Sequence, residues 1–338
     1  MKFKEGEKST FQKRVILVVG AYRNGTSVLT KGLSTMGVLL TSPSSEVFQE
    51  HNPKGDWEDL QFQAINNKLL NSLHIREYRF RNILPVTKEE TDFLIDQGYL
   101  AEASHLLSQK ISDSQLLGIK YPMATLLLPF WKRVFKELHL DVSFVIALRE
   151  PISAVASMTA YKKQPPEKSF WVWISFLLSS LEYSKGYQRV LVDYHQLLKD
   201  PKAQMRKIAH ELTLEIQYDL LEEYCNHFID PILSHFPPLS VAFDRNNSSY
   251  EGQEHFGRNF SLEIYQQLLA VANNEVSLTS LEPFLQKWKK QFSSAHSLLC
   301  LTEHHEFMVR DIARRLSIEI NQLKDTINTM IAEKAKIS

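Results

Sequence analysis

The chain has 338 residues, 43% apolar and 23% charged, enough for one large α/β domain or two small ones around a sizeable core. Lysine plus arginine equals aspartate plus glutamate at 39 each, which argues against non-specific nucleic-acid binding, where a basic excess is the rule. Any anion site must therefore be a local concentration of charge.

The charged start MKFKEGEKST lacks the apolar centre of a signal peptide. No run is long enough to span a bilayer, and WVWISFLL (Trp171 to Leu178) has the length of a buried helix. Cys225 and Cys300 form neither a CxxC pair nor a disulfide framework and read as reduced thiols. A cytoplasmic protein without a membrane span is expected.

Val15 to Val19 is a β-branched apolar run ending at a glycine, so it predicts a buried strand. GAYRNGTS (Gly20 to Ser27) follows, and Thr26 to Met36 then reads as a helix with Val28, Leu29, Leu33 and Met36 on one face and Gly37 ending it. TKEE (Thr87 to Glu90) is a capping box opening a helix through Phe93, Leu94 and Leu100. Further strands are expected at Leu116 to Ile119, Val142 to Leu148 and Val190 to Val192, with helical segments between them. The fold class expected is α/β: a three-layer, P-loop-like parallel sheet flanked by helices, with a helical C-terminal extension.

Asp230 to Phe260 holds Pro231, Pro237, Pro238 and the polar run RNNSSYEGQ, so an irregular loop is expected, either a lid or a linker. Val309, Leu316, Leu323 and Met330 recur every seven residues with Ala313, Ile320 and Ile327 between them, the seam of a short coiled coil. That helix either packs back on the domain or pairs with a second copy. The organisation read from these features is a tail over 1–13, a domain over 14–304 and an amphipathic helix over 305–338.

GAYRNGTS is nearly the phosphate-loop pattern G-x-x-x-x-G-K-[ST], with Thr26 where the lysine belongs. Loop amides and the free N–H groups of a helix start form a nest for phosphate, and Thr26 and Ser27 add hydroxyls. Arg23 supplies, from within the loop, the charge the missing lysine would have given. A second feature is ALREPISAVASM (Ala147 to Met158), in which a strand ends in Arg149 where nucleotide hydrolases often hold a magnesium-binding aspartate. Pro151 opens the following helix, and Ser157 lies about two turns along it. An arginine and a serine can together grip a phosphate. The competing reading is an ordinary turn, with Arg149 paired to a carboxylate and Ser157 facing solvent. Two phosphate grips at two strand ends suit a nucleotide with an extra ribose phosphate better than ATP.

These residues resemble the sulfotransferases that use 3′-phosphoadenosine 5′-phosphosulfate (PAPS). YRNGTSVL resembles their 5′-phosphosulfate loop, and Arg149 with Ser157 their 3′-phosphate motif. NPKGDWED (Asn52 to Asp59), GIKYP with LLLPFW, and VDYHQLLKDP (Val192 to Pro201) resemble further family segments, in order. The resemblance implies transfer of a sulfuryl group from PAPS to an acceptor hydroxyl on a carbohydrate, lipid or small metabolite, leaving adenosine 3′,5′-bisphosphate (PAP) and needing no metal. It implies that Arg23 and Lys120 stabilise developing charge, that Asn24, Gly25, Thr26 and Ser27 hold the 5′-phosphate, and that Arg149 and Ser157 hold the 3′-phosphate. Tyr194 is carried over as a contact to adenine, with a core tyrosine as the alternative.

Glu58 is the first choice for the general base, with Asp59, Glu50 and His51 as alternatives; Glu58 and Asp59 also read as a helix-start carboxylate pair. The chain departs from the family where KYPM puts Tyr121 and Met123 in place of an acid and an arginine. That departure keeps open a catalytically silent nucleotide-binding member acting through partners. A P-loop kinase or NTPase is the other alternative, against which Thr26 and Arg149 both speak. The partners expected are the acceptor and a second copy through the C-terminal helix, not nucleic acid.

Overall fold

The computed structural model describes residues 13–40, 54–77, 81–112, 114–162, 164–230 and 256–337. Arg14–Val19 (β1), Leu39–Leu40 (β2), Leu116–Lys120 (β3), Asp141–Leu148 (β4) and Gln188–Asp193 (β5) pair in parallel in the order β2-β3-β1-β4-β5. Each predicted strand is present, extended by one to three residues. The reason for the sheet is visible along β1, which is buried on both faces as the strands of a covered parallel sheet must be. Val15, Leu17 and Val19 point into one core and Ile16 and Val18 into the other.

The helices are Thr26–Leu33 (α1), Leu60–Glu77 (α2), Lys88–Asp96 (α3), Tyr99–Lys110 (α4), Leu128–Glu137 (α5), Pro151–Lys162 (α6), Pro166–Tyr183 (α7), Tyr194–Lys199 (α8), Pro201–Glu211 (α9), Tyr218–Glu223 (α10), Phe256–Ala272 (α11), Glu282–Ser294 (α12) and His296–Ile337 (α13). Leu29 and Leu33 of α1 meet Met205 and Ile208 of α9 under one face of the sheet. Phe130 and Trp131 of α5 and Trp173 and Phe176 of α7 fill the other. WVWISFLL lies inside α7, whose residues from Val172 to Leu181 are all buried, so its hydrophobicity serves the core. Among the described residues no helix is long and apolar enough to cross a membrane.

Several elements differ in detail from the sequence expectation. The helix after GAYRNGTS is α-helical only to Leu33 and tightens into a 3₁₀ turn over Ser34–Met36 before Gly37, at φ 70°, ends it. The TKEE capping box forms as read, with Thr87 and Glu90 bonded reciprocally. Its helix does not reach Leu100, however: it stops at Asp96, and Gly98 at φ 83° turns the chain into the separate helix α4. Phe256 to Phe260 belong to α11 rather than to an irregular loop, because Phe260 and Ile264 are one turn apart on its buried face. The remainder of that predicted loop, 231–255, lies outside the described residues, as do 1–12.

The C-terminal helix begins at His296, earlier than the seam alone suggests. Its first turns are tied to the domain by Glu303, whose Oε1 accepts the backbone N–H groups of Asn82 (2.9 Å), Ile83 (2.7 Å) and Leu84 (3.1 Å). The same segment is braced by buried Arg81, which donates to Glu77 at 2.8 Å, to Glu90, and to the carbonyls of Leu84 and Pro85. From Val309 onward the seam residues face solvent instead of packing back.

Glu303 therefore sets three buried amides at once. Glu303→Ala leaves those donors unsatisfied and is expected to cost at least about 2 kcal/mol of stability. Urea denaturation of the two proteins checks this, and an unchanged midpoint would refute it.

Candidate functional site

The strand order switches sides at β1: from β1 the chain runs to the edge strand β2 and returns to β3 on one side, then crosses to β4 and β5 on the other. The crevice at such a switch point, beyond the carboxyl ends of the strands, is where open α/β sheets bind ligands. The loop Gly20 to Gly25 lies there. Lys120 ends β3, Arg149 follows β4 and Tyr194 follows β5, so the sheet alone brings these sequence-distant residues to one edge.

Close packing shapes the loop. A Cβ on Gly20 would come within 2.7 Å of the Ala147 carbonyl, and one on Gly25 within 2.3 Å of the Tyr194 ring. Arg23 adopts φ 65° and Gly25 φ 84°, conformations that turn the chain sharply into α1. Buried Asn24 fixes the loop by donating its Nδ2 to the Ala147 carbonyl at 3.1 Å. Gly25 is the N-cap of α1 and has no side chain with which to cap the amides of the first turn, where buried Thr26 and half-buried Ser27 sit. An uncapped helix start is an anion-binding arrangement.

Arg23 and the helix α6 meet directly. The Arg23 Nε donates to Ser157 Oγ at 2.9 Å, and the Arg149 Nη1 donates to the Arg23 carbonyl at 2.9 Å. The two grips read separately from the sequence are thus one continuous hydrogen-bonded group. Ser157 faces Arg23, not solvent. Burial lowers the pKa of Arg23, opposed by the Asp56 carboxylate, and lowers that of Arg149, with Arg23 adding to the effect. The Arg149 guanidinium lies 4.6 Å over the Tyr194 ring, against which Gly25 also packs. Helix α6 starts where it does because Glu150 accepts the Ile152 and Ser153 N–H groups at 3.1 and 2.7 Å, with Pro151 as its first residue.

On the other side of β1, Lys120 is buried and donates to Glu58 Oε1 at 2.6 Å, to the Asp56 carbonyl at 2.8 Å and to Ser27 Oγ at 3.4 Å. Ser27 also donates to the Asp56 carbonyl at 3.2 Å. The turn that presents Glu58 needs positive φ at Gly55 (85°) and at Trp57 (56°). Glu58 and Asp59, read as a helix-start pair, have separate tasks. Asp59 accepts the Phe62 N–H at 2.6 Å as the cap of α2 and pairs with Lys110 at 2.5 Å. Glu58 turns to Lys120. Glu50, His51, Asn52 and Pro53 lie outside the described residues.

Sequence reasoning missed the ring of tyrosines about Glu58. Burial raises the pKa values of Tyr22, Tyr121 and Tyr161, and the Glu58 carboxylate adds to each. Tyr121 and Met123, the KYPM departures, have distinct places: the Tyr121 hydroxyl donates to Asn67 Oδ1 at 2.8 Å, and Met123 lines a cavity beside the site. The sequence reading also missed Glu150, for which EPIS, a carboxylate and proline at a helix start, was the available signal. Nothing in the sequence spacing marked the tyrosines, which come from three different segments. Among the described residues no group of His, Cys, Asp and Glu is placed to hold a metal ion.

The neighbouring cavity has a volume of about 470 Å³ and runs from Tyr22, Met123 and Met158 to Lys168, Glu306 and Arg310. Asn67 and Asn71 of α2 and Gln164 put amides on its wall. His74 also lines it, with Nε2 accepting the Arg81 N–H at 3.0 Å.

No protein-family model matches the chain, and no curated protein matches its sequence. Solved structures similar to it include the sulfotransferase domain of the Synechococcus PCC 7002 olefin synthase, at 16% identity and a TM-score of 0.41 over 78% of this chain and 98% of that one. The sulfotransferase domain from the curacin biosynthetic pathway matches at 16% identity and 0.39, over 63% of this chain and 78% of that domain. Sulfotransferase STF1 of Mycobacterium tuberculosis H37Rv matches at 17% identity and 0.37, over 77% of each chain. At these values the site is to be read from this chain's own residues.

Burial and the Arg81 charge depress the His74 pKa from 6.5 to about 4. Its folded value lies below its unfolded one, so the unfolded chain takes up the proton first and stability is lost as pH falls from about 6.5 to about 4. Thermal unfolding of the wild type and His74→Gln across that window should show the difference between them shrinking as pH falls. A pH-independent difference would refute the assignment.

Proposed function

We propose that the chain is a PAPS-dependent sulfotransferase acting on an acceptor hydroxyl. The observation that carries this reading is the convergence of Arg23, Lys120, Arg149 and Ser157 on the loop after β1. Three cations, two of them buried, meet beside an uncapped helix start. Such a donor set fits a polyanion, and its two-sided layout fits a nucleotide with phosphate at both the 5′ and 3′ positions.

When bound, PAPS supplies the sulfuryl group that is transferred. In this reading Gly25, Thr26 and Ser27 hold the 5′-phosphate with backbone and hydroxyl donors, and Asn24 keeps their loop on β4. Arg149 and Ser157 hold the 3′-phosphate. Tyr194 backs the Arg149 guanidinium, a contact that supports a positioning role alongside the adenine contact expected from the family resemblance. Arg23 can exchange Ser157 for an anionic oxygen. Lys120 stands on the acceptor side of the loop and stabilises negative charge gathering on the oxygens in transfer. Glu58, an acceptor-only carboxylate with one oxygen on Lys120, takes the proton of the attacking hydroxyl. The cavity bounded by Tyr22, Met123 and Met158 is the acceptor's approach, and its mixed apolar and amide lining suits a hydroxylated molecule with an apolar part.

Calorimetry with adenosine 3′,5′-bisphosphate and with ATP–magnesium tests the donor. Metal-independent preference for the bisphosphate is expected, and preference for ATP–magnesium would overturn the proposal. Arg149→Ala should weaken bisphosphate binding by roughly 10- to 100-fold, the worth of a charge-assisted contact of about 1.5–3 kcal/mol. Glu58→Gln should leave that binding within about threefold yet lower turnover of labelled PAPS by roughly 10²- to 10⁴-fold. Undiminished turnover would remove Glu58 as the base.

A further inference from the structure

The apolar face of α13 has no task in the site described above. Val309, Leu316, Ile320, Leu323, Ile327 and Met330 are between 51% and 63% exposed. Their order in the heptad is specific. Ala313, Ile320 and Ile327 fall at a positions, and Val309, Leu316, Leu323 and Met330 at d positions. Isoleucine at a with leucine at d favours two parallel strands, because the two side-chain shapes pack differently in the holes of a dimer.

Charge selects the same partner. Glu319 occupies a g position and Lys324 the e position of the following heptad. In a parallel pair, Glu319 of one helix faces Lys324 of the other, and the symmetry makes the contact twice. The outer positions carry Arg314, Arg315, Asn321, Gln322, Asp325 and Asn328, suited to water, with Ile318 the exception. Arg310, Arg314, Arg315 and Lys324 are nearly balanced by Asp311, Glu319 and Asp325, so the helix lacks the basic excess that draws amphipathic helices to anionic membranes.

The fold also marks where pairing begins. One heptad before Ala313, the a position is Glu306, and its carboxylate is bound by Lys168 and Asn82 of its own domain, with Arg310 at 3.1 Å. The seam is thus occupied by the domain up to Glu306 and open from Val309. From there to Met330 it runs for roughly 32 Å of helix.

We infer that α13 pairs with α13 of a second copy as a parallel two-stranded coiled coil over Val309 to Met330, making the protein a homodimer. The inference is independent of the proposed chemistry.

Light scattering on the full-length protein at micromolar concentration should give twice the chain mass of 39.2 kDa. The variant carrying Ile320→Asp and Leu323→Asp should give 39.2 kDa with the thermal unfolding of its domain unchanged, since both side chains face solvent in the single chain. A monomeric or trimeric wild type, or a double variant that stays dimeric, would overturn the inference. Orientation is read with Met330→Cys under mild copper–phenanthroline oxidation, against wild type as the background from Cys225 and Cys300. A parallel pair brings the two introduced thiols together and yields a covalent dimer. No covalent dimer above background would overturn the parallel arrangement.

Discussion

The candidate site depends on how closely the loop after β1 lies against the end of β4. The Ala147 carbonyl is the fixed point: Gly20 passes it with no room for a side chain, and Asn24 donates to it. With the loop held there, Arg23 is forced into a left-handed turn, its carbonyl faces Arg149, and its guanidinium faces Ser157 on α6. Without this contact the backbone would have no reason to take positive φ at a non-glycine residue, a conformation that persists only where its surroundings over-determine it.

The arrangement on the other side of β1 is looser in kind but as specific. Lys120 reads one backbone carbonyl, one hydroxyl and one carboxylate, and the carboxylate is presented by a turn that itself needs two residues at positive φ. The two neighbouring acids differ in fate because one completes a helix start and the other does not. Asp59 is committed to α2 and Lys110, which leaves Glu58 as the carboxylate available to Lys120. Tyr121, which looks from the sequence like the loss of a functional acid, is a buried hydroxyl bonded to Asn67 beside that carboxylate.

What could be read from the sequence was local and periodic. Strand β1 and its glycine turn, the Thr87 capping box and the seam of α13 each announce themselves within some two dozen residues or fewer. The break at Gly98 was missed because the apolar period continues across it, and only the left-handed glycine separates α3 from α4. Glu303 could not have been anticipated, since its three amide donors lie some 220 residues earlier in the chain. The same holds for the tyrosines about Glu58. Residue types and spacings pointed to Arg23, Arg149 and Ser157 as anion ligands, but that Arg23 joins the two groups is a fact of tertiary packing.

Glu306 has a consequence for how this chain can vary. Its carboxylate borders the cavity, closes an ion pair with Lys168 and occupies the last seam position claimed by the domain. The three residues from Glu306 to Val309 therefore set the angular phase between domain and stalk. One residue added there would turn the whole apolar stripe by about 100° about the helix axis, leaving every contact within the domain and every heptad intact. Such a change would aim two sound halves in the wrong relative direction. Substitutions on either side of this short segment should be tolerated far more readily than a change in its length.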